Sequence, residues 1–263
     1  MTQTAERINI RNLAAEWPQP VLFDVRNFIT EDDWWYIEKR FSSERHIEDK
    51  LDFALAMKIM RPQKFGREAE KLWREAIRNL DTYIENEARP EFPLVASTMK
   101  LIFGQKVDLY LEGKVPELAQ RIEVDLDSTS HSPDEILNRC AELKVLFPQK
   151  LPEKELGEKF QELLDYSQFK YGGHLLMANF FKLRIIFPEK KFIGEIARKN
   201  VGTIIEALQF YRENGQWFQF AVLALTACVV FADKVEVTEN GLEVTPRSGQ
   251  GGSQKPTPVI RRF

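Results

Sequence analysis

LRIIFPEK, residues 183–190, is the stretch whose reading decides the fold, because the chain carries it in five variant copies. The others are MKIMRPQK from Met57, MKLIFGQK from Met99, LKVLFPQK from Leu143 and ACVVFADK from Ala227, so successive copies start 40 to 44 residues apart. Each copy ends in lysine, at Lys64, Lys106, Lys150, Lys190 and Lys234, and four carry a cation at the second position, Lys58, Lys100, Lys144 and Arg184. A constant period of this length suits one unit of two helices and two turns. The copies read as the ends of the second helices. Pro62, Pro148 and Pro188 stop a helix, and Gly104 stands at the equivalent point, where it suits a left-handed cap. The closing lysine then lies just past a helix C-terminus, where the helix dipole favours a cation.

The segments between copies supply the first helices. Ala69, Leu72, Trp73, Ala76, Leu80, Tyr83 and Ile84 recur at spacings of three and four, which puts them on one helical face. Leu156, Phe160, Leu163 and Leu164 do the same before Gly172-Gly173, and Ile196, Ile204, Leu208 and Tyr211 do so between 192 and 212. Ser132-Pro133-Asp134-Glu135 combines a Ser cap, Pro at the first helical position and Glu three residues after the cap, a strong helix start. Thr30-Glu31-Asp32-Asp33 starts an earlier helix ahead of Trp34 and Trp35. Helix pairs are predicted at 30–61, 66–104, 113–148, 153–188 and 192–232. In the third pair the first helix, 115–124, is short, and a polar loop follows at 125–132.

A helix pair cannot bury its own apolar stripe, so neighbours must stack into a continuous core. With its five pairs at this period, the chain resembles HEAT-like and TPR-like α-solenoids over about residues 30–232. The TPR period of about 34 residues and that family's Trp-Leu-Gly-Tyr pattern are absent, so the HEAT-like geometry is the nearer. The predicted fold is therefore all-α, an α-solenoid of about five repeats, preceded by an irregular segment at 1–29.

The texture changes after the last copy. KVEVTENGLEVT, residues 234–245, alternates around Asn240-Gly241, a dipeptide that favours a type I′ turn. Centring the turn there sets Val237 opposite Val244 and Glu236 opposite Thr245. A lone hairpin is marginal in water, so 233–246 is predicted to pack on the final helix pair as a cap. Residues 247–263 are rich in Gly, Ser, Gln and Pro, a disordered composition. They carry Arg247, Lys255, Arg261 and Arg262 without an acidic side chain. The closing Val259-Ile260-Arg261-Arg262-Phe263 is a candidate docking motif.

The 263 residues are 43% hydrophobic and 29% charged with a formal charge of −3, which fits a globular chain and excludes a wholly disordered one. A nucleic-acid binder normally carries a basic excess. The two cysteines, Cys140 and Cys228, lie in apolar segments as buried free thiols. Residues 1–12 lack the apolar core of a signal peptide, and the most apolar run, 218–231, is too short to span a bilayer. A cytoplasmic protein with no membrane association is expected.

Candidate chemistry is sparse. His46, His131 and His174 are the three histidines, and neither they nor the cysteines form a metal-ligand spacing. No phosphate-binding glycine loop and no Gly-x-Ser-x-Gly elbow occurs. No catalytic, cofactor-binding or metal residue is assigned and no cofactor is expected. Trp34 and Trp35 are candidate peptide anchors if exposed and core if not. Lys64, Lys106, Lys150, Lys190 and Lys234 at equivalent positions form a candidate basic ladder for an acidic or phosphate-bearing partner. The expected function is a non-enzymatic protein- or peptide-binding scaffold. The alternatives are a HEAT-like nucleic-acid binder using the ladder, including an enzyme acting on a base, and a structural subunit that stacks into a larger assembly.

Overall fold

The computed structural model describes residues 25–85, 92–112, 132–169, 172–190, 192–198 and 200–246. The predicted helix at 115–124, the loop after it as far as His131, most of the N-terminal segment and the tail with Arg261, Arg262 and Phe263 lie outside these residues. The described chain is mostly helical, with one small antiparallel hairpin.

The helices are α1 (Glu31–Ser43), α2 (Ile47–Met60), α3 (Pro62–Glu85), α4 (Phe92–Phe103), α5 (Gln105–Leu111), α6 (Pro133–Leu146), α7 (Glu153–Phe169), α8 (Gly172–Ile186), α9 (Phe192–Arg198), α10 (Val201–Glu213) and α11 (Trp217–Val230). Short 3₁₀ turns occupy Val25–Phe28 and Pro148–Lys150. Strands β1 (Lys234–Thr238) and β2 (Gly241–Thr245) follow. Both expected helix starts carry a capping box. Thr30 and Asp33 satisfy each other's backbone amides at the start of α1, and Ser132 and Glu135 do so at α6. Pro62 ends α2 and opens α3 in one step, since a proline at the first helical position gives up an amide that has no partner anyway. The helix expected across 192–212 is broken into α9 and α10. Asn200 sits between them at φ −105° and ψ 10°, and its N–H donates to Ala197 C=O in a tightened turn.

Each helix that carries a signature copy, α2, α4, α6, α8 and α11, is buried on most of its circumference. α3, by contrast, is buried along one stripe of Leu72, Ala76, Leu80 and Tyr83. Helices apolar all round belong inside and amphipathic ones outside. The contacts agree. α2 packs on α4, α4 on α6, α6 on α8 and α8 on α11, and α11 packs back on α2. Phe53 of α2 and Phe218 of α11 meet edge to face at 5.3 Å across that last joint. An open row would leave α2 and α11 at opposite ends, whereas here the five signature helices close a ring.

The hairpin also differs from expectation. Its pairs are Lys234↔Thr245, Val235↔Val244, Glu236↔Glu243, Val237↔Leu242 and Thr238↔Gly241, so Glu239-Asn240 makes the turn. This register puts all four apolar side chains on one face, whereas a turn at Asn240-Gly241 would set Leu242 opposite Glu239. The apolar face decides register because a slip by one residue inverts it. The hairpin contacts α2, α4 and α8 as well as following α11. It therefore closes one end of the ring, with Val235 and Leu242 buried, and does not cap the final pair alone.

Candidate functional site

The second-position cations, quoted above only as part of the signature, gather at the hairpin end. Lys58 donates from Nζ to Leu101 C=O at 3.1 Å and Ile102 C=O at 2.7 Å, the last-turn carbonyls of the neighbouring α4, and to Asn240 C=O in the hairpin turn. Arg184, fully buried, donates from Nη2 to Ala232 C=O beyond α11 at 3.2 Å and from Nη1 to Pro188 C=O at 2.9 Å. The last carbonyls of a helix have no partner within it. A cation from the preceding ring helix supplies one and meets the negative dipole end. Burial lowers the Lys58 ammonium to about 8, against the opposing pull of Glu243. Lys100 instead pairs with Asp108 of α5 at 2.7 Å. Cys228 holds the equivalent place in α11 and is buried as a free thiol, as is Cys140.

Between these helix ends and the hairpin lies an open cleft of about 670 Å³. Lys100, Lys144, Val145 and Ile185 line it from the ends of α4, α6 and α8, Gln105 and Asp108 from α5, and residues 235–239 from β1 and its turn.

Two of the closing lysines sit differently from the expected place past a helix end. Lys64 lies in the first turn of α3 and Lys106 in that of α5, so neither caps a preceding helix. Lys64 stands 3.4 Å from Glu38, Lys106 3.3 Å from Glu70 and 4.2 Å from the Trp73 ring centroid, and Lys234 2.7 Å from Glu236. Lys190 lies 4.5 Å over the Phe160 ring, and Lys150 is exposed in the 3₁₀ turn. Carboxylates thus stand beside Lys64, Lys106 and Lys234. Such exposed pairs contribute little to stability, but they offset the positive charge of a ladder.

Trp34 and Trp35 separate. Trp34 is buried, with the Arg61 guanidinium 5.2 Å from its ring centroid. Trp35 is 55% exposed and carries Lys39 over its ring at 4.9 Å. Tyr36, 43% exposed, meets Trp35 edge on at 4.8 Å and stacks on Trp217 at 4.7 Å with ring planes 3° apart. Trp217 opens α11, so this aromatic group lies on the joint between the first and last pairs. Below it Arg212 of α10 donates to Phe28 C=O at 2.8 Å and to Asp33 Oδ2 at 2.7 Å. Phe210 of α10 is 54% exposed and meets the Tyr211 ring at 5.8 Å. Tyr36, Trp217 and Phe210 are absent from the candidates drawn from the sequence, because helical spacing alone reads aromatics as core.

Among the described residues no cluster of His, Cys, Asp and Glu has the arrangement of a metal site, and no helix is long and apolar enough to cross a membrane. No protein-family model, curated protein or solved structure matches the chain.

Proposed function

We propose that this is a non-enzymatic, cytoplasmic interaction module of helical-repeat type, in which related helix pairs build a closed scaffold that binds a protein or peptide at the aromatic joint. The observation that carries this reading is the exposure of Trp35 and Tyr36 beside Trp217. Large aromatic side chains exposed together are unusual on a monomer and typical of the buried centre of an interface. The underlying Arg212–Asp33 pair and the Tyr36–Trp217 stack hold them in place, which limits the ordering cost of binding. Lys39 over Trp35 favours a partner that brings a carboxylate beside its apolar contacts. The basic ladder carries the nucleic-acid alternative less well, because Glu38, Glu70 and Glu236 stand beside its lysines.

Selection of peptides from a random library on the immobilised full chain tests the reading. Enriched peptides should bind Trp35→Ala and Tyr36→Ala about thirtyfold more weakly, near 2 kcal/mol, as expected of central interface aromatics, while both variants melt close to the parent. Enriched peptides that bind the two variants as well as the parent would refute it.

A further inference from the structure

A closed ring of helices has an inside, and its wall can be read from the aligned copies. The position five residues before each copy is Asp52, Leu94, Asn138, Ala178 and Val222. On α2 the neighbouring side chains fix its direction. Phe53 meets α11, Lys58 reaches α4 and Lys50 pairs with Glu75 of α3. Helical steps of about 100° per residue set Asp52 nearly opposite Lys50, between the two ring neighbours, so it faces the centre of the ring. All five positions keep contact with solvent, Leu94 at 50% exposure. One turn nearer the hairpin, Ala56, Thr98 and Thr226 are buried, and Glu142 and Lys182 are half-buried. The lumen is therefore a funnel that opens away from the hairpin and narrows toward it.

Its charges balance at one level and not at the next. At the narrow level Lys182 of α8 faces Asp134 and Glu142 of α6. Above it Asp49 and Asp52 stand about one turn apart on α2, and neither has a hydrogen-bond or ion-pair partner among the described residues. Asp52 lies deep between the ring helices and still touches solvent. Burial and Glu44 raise the Asp49 carboxyl against the pull of His46, and burial with Asp49 raises that of Asp52. Like charges three residues apart on a helix repel, and an enclosed carboxylate without a partner is unfavourable. A cation beside both offsets both penalties.

The walls select the kind of cation. Leu94, Ala178 and Val222 share the level of Asp52 and suit an alkyl stem that carries its charge at the end, as a lysine side chain does. In a ring of five, helix axes about 10 Å apart lie about 8 Å from the centre. A helix with its side chains fills about 5 Å of that, which leaves room for an alkyl chain lying along the axis. We propose that the lumen binds a linear aliphatic diamine or polyamine lengthwise, with one ammonium group on Asp52 and the next on Asp49.

Calorimetric titration of the full chain with 1,4-diaminobutane and with spermidine at low salt provides the test. Each should bind at one site per chain, with butylamine about tenfold weaker. Asp52→Asn should weaken diamine binding about tenfold, the loss expected when a charged hydrogen-bond partner is removed. Leu94→Trp, which fills the lumen from an exposed position, should abolish it, while both variants keep the parent's circular dichroism. Affinity should fall from pH 8 to pH 5.5, as Asp52 takes up a proton. Glu70→Gln and Trp35→Ala, both outside the lumen, should leave binding unchanged, which separates this site from the aromatic joint. Absence of binding, butylamine binding as tightly as the diamine, undiminished affinity in Asp52→Asn, or an equal loss in Glu70→Gln would each overturn the proposal.

Discussion

At the scale of single residues, the same side-chain type does different work according to the face it occupies. Lys58 reaches the last carbonyls of the next ring helix and Arg184 the Ala232 carbonyl just past one, whereas Lys64 and Lys106, six residues further along their copies, lie on the surface beside glutamates. Both sets are regular in the sequence, and the more visible one, the lysine that closes every copy, is not the one that ties the helices together. The signal that marks the second-position set is its place inside an apolar run, where a cation must find partners to be buried. Asp52 of α2 is a second case. Burial, with Asp49 nearby, pushes its carboxyl up to about 7 from an ordinary 3.8. The folded state therefore binds a proton between about 4 and about 7 that the unfolded chain has lost, so stability falls as pH rises through that window. Burial likewise holds Glu142 at about 7 despite Arg139 and Lys182, and adds to the same slope. Asp52→Asn should stabilise the protein at pH 8 and have little effect near pH 4, with thermal melts across pH as the measurement. Equal effects at both pH values would contradict the assignment.

At the scale of elements, the hairpin shows which parts of a structure a local pattern can specify. Alternation across 234–245 gives two strands, and the structure has them. The strong local turn signal of Asn240-Gly241 points one residue beyond the observed turn at Glu239-Asn240. The register instead follows the four-residue apolar face, and Gly241, at φ +95°, is needed for close approach to Leu101 C=O and Lys58. Gly104 is the matching point on the ring. Read from the sequence as a helix cap, it adopts φ 59° with ψ −136°, outside the left-handed helical region, and a Cβ there would lie 1.9 Å from Glu239 C=O. The amide of the next residue, Gln105 N–H, donates to the same carbonyl at 2.7 Å. Gly104→Ala should therefore lift the hairpin off α4 and cost about 2 kcal/mol or more in urea unfolding. Gly66→Ala, in α3 with open space around it, should instead be neutral or gain up to about 1 kcal/mol. If the two alanine variants unfold at the same urea concentration, the hairpin is not docked on α4 as described.

At the scale of the whole molecule, most of the described helices were legible because each writes its own face in a spacing of three and four residues. Of the interior helices the last was legible as core, from the apolar run 218–231. The closure of those five helices was not legible. It depends on a small rotation at each joint that sums over the set, and no single residue encodes that sum. Its consequence is the aromatic joint. Tyr36 and Trp217, 181 positions apart in sequence, stack only because the first and last pairs meet. The proposed binding surface exists only if the ring is closed, so closure is the claim on which the rest depends. Spin labels at the exposed positions Lys39 of α1 and Gln219 of α11, introduced as Lys39→Cys and Gln219→Cys with Cys140 and Cys228 replaced by serine, measure it by pulsed electron resonance. Packed helix axes lie about 10 Å apart, so a closed ring predicts a single label distance of about 20 Å, while an open row of five pairs predicts about 40 Å or more and would contradict it.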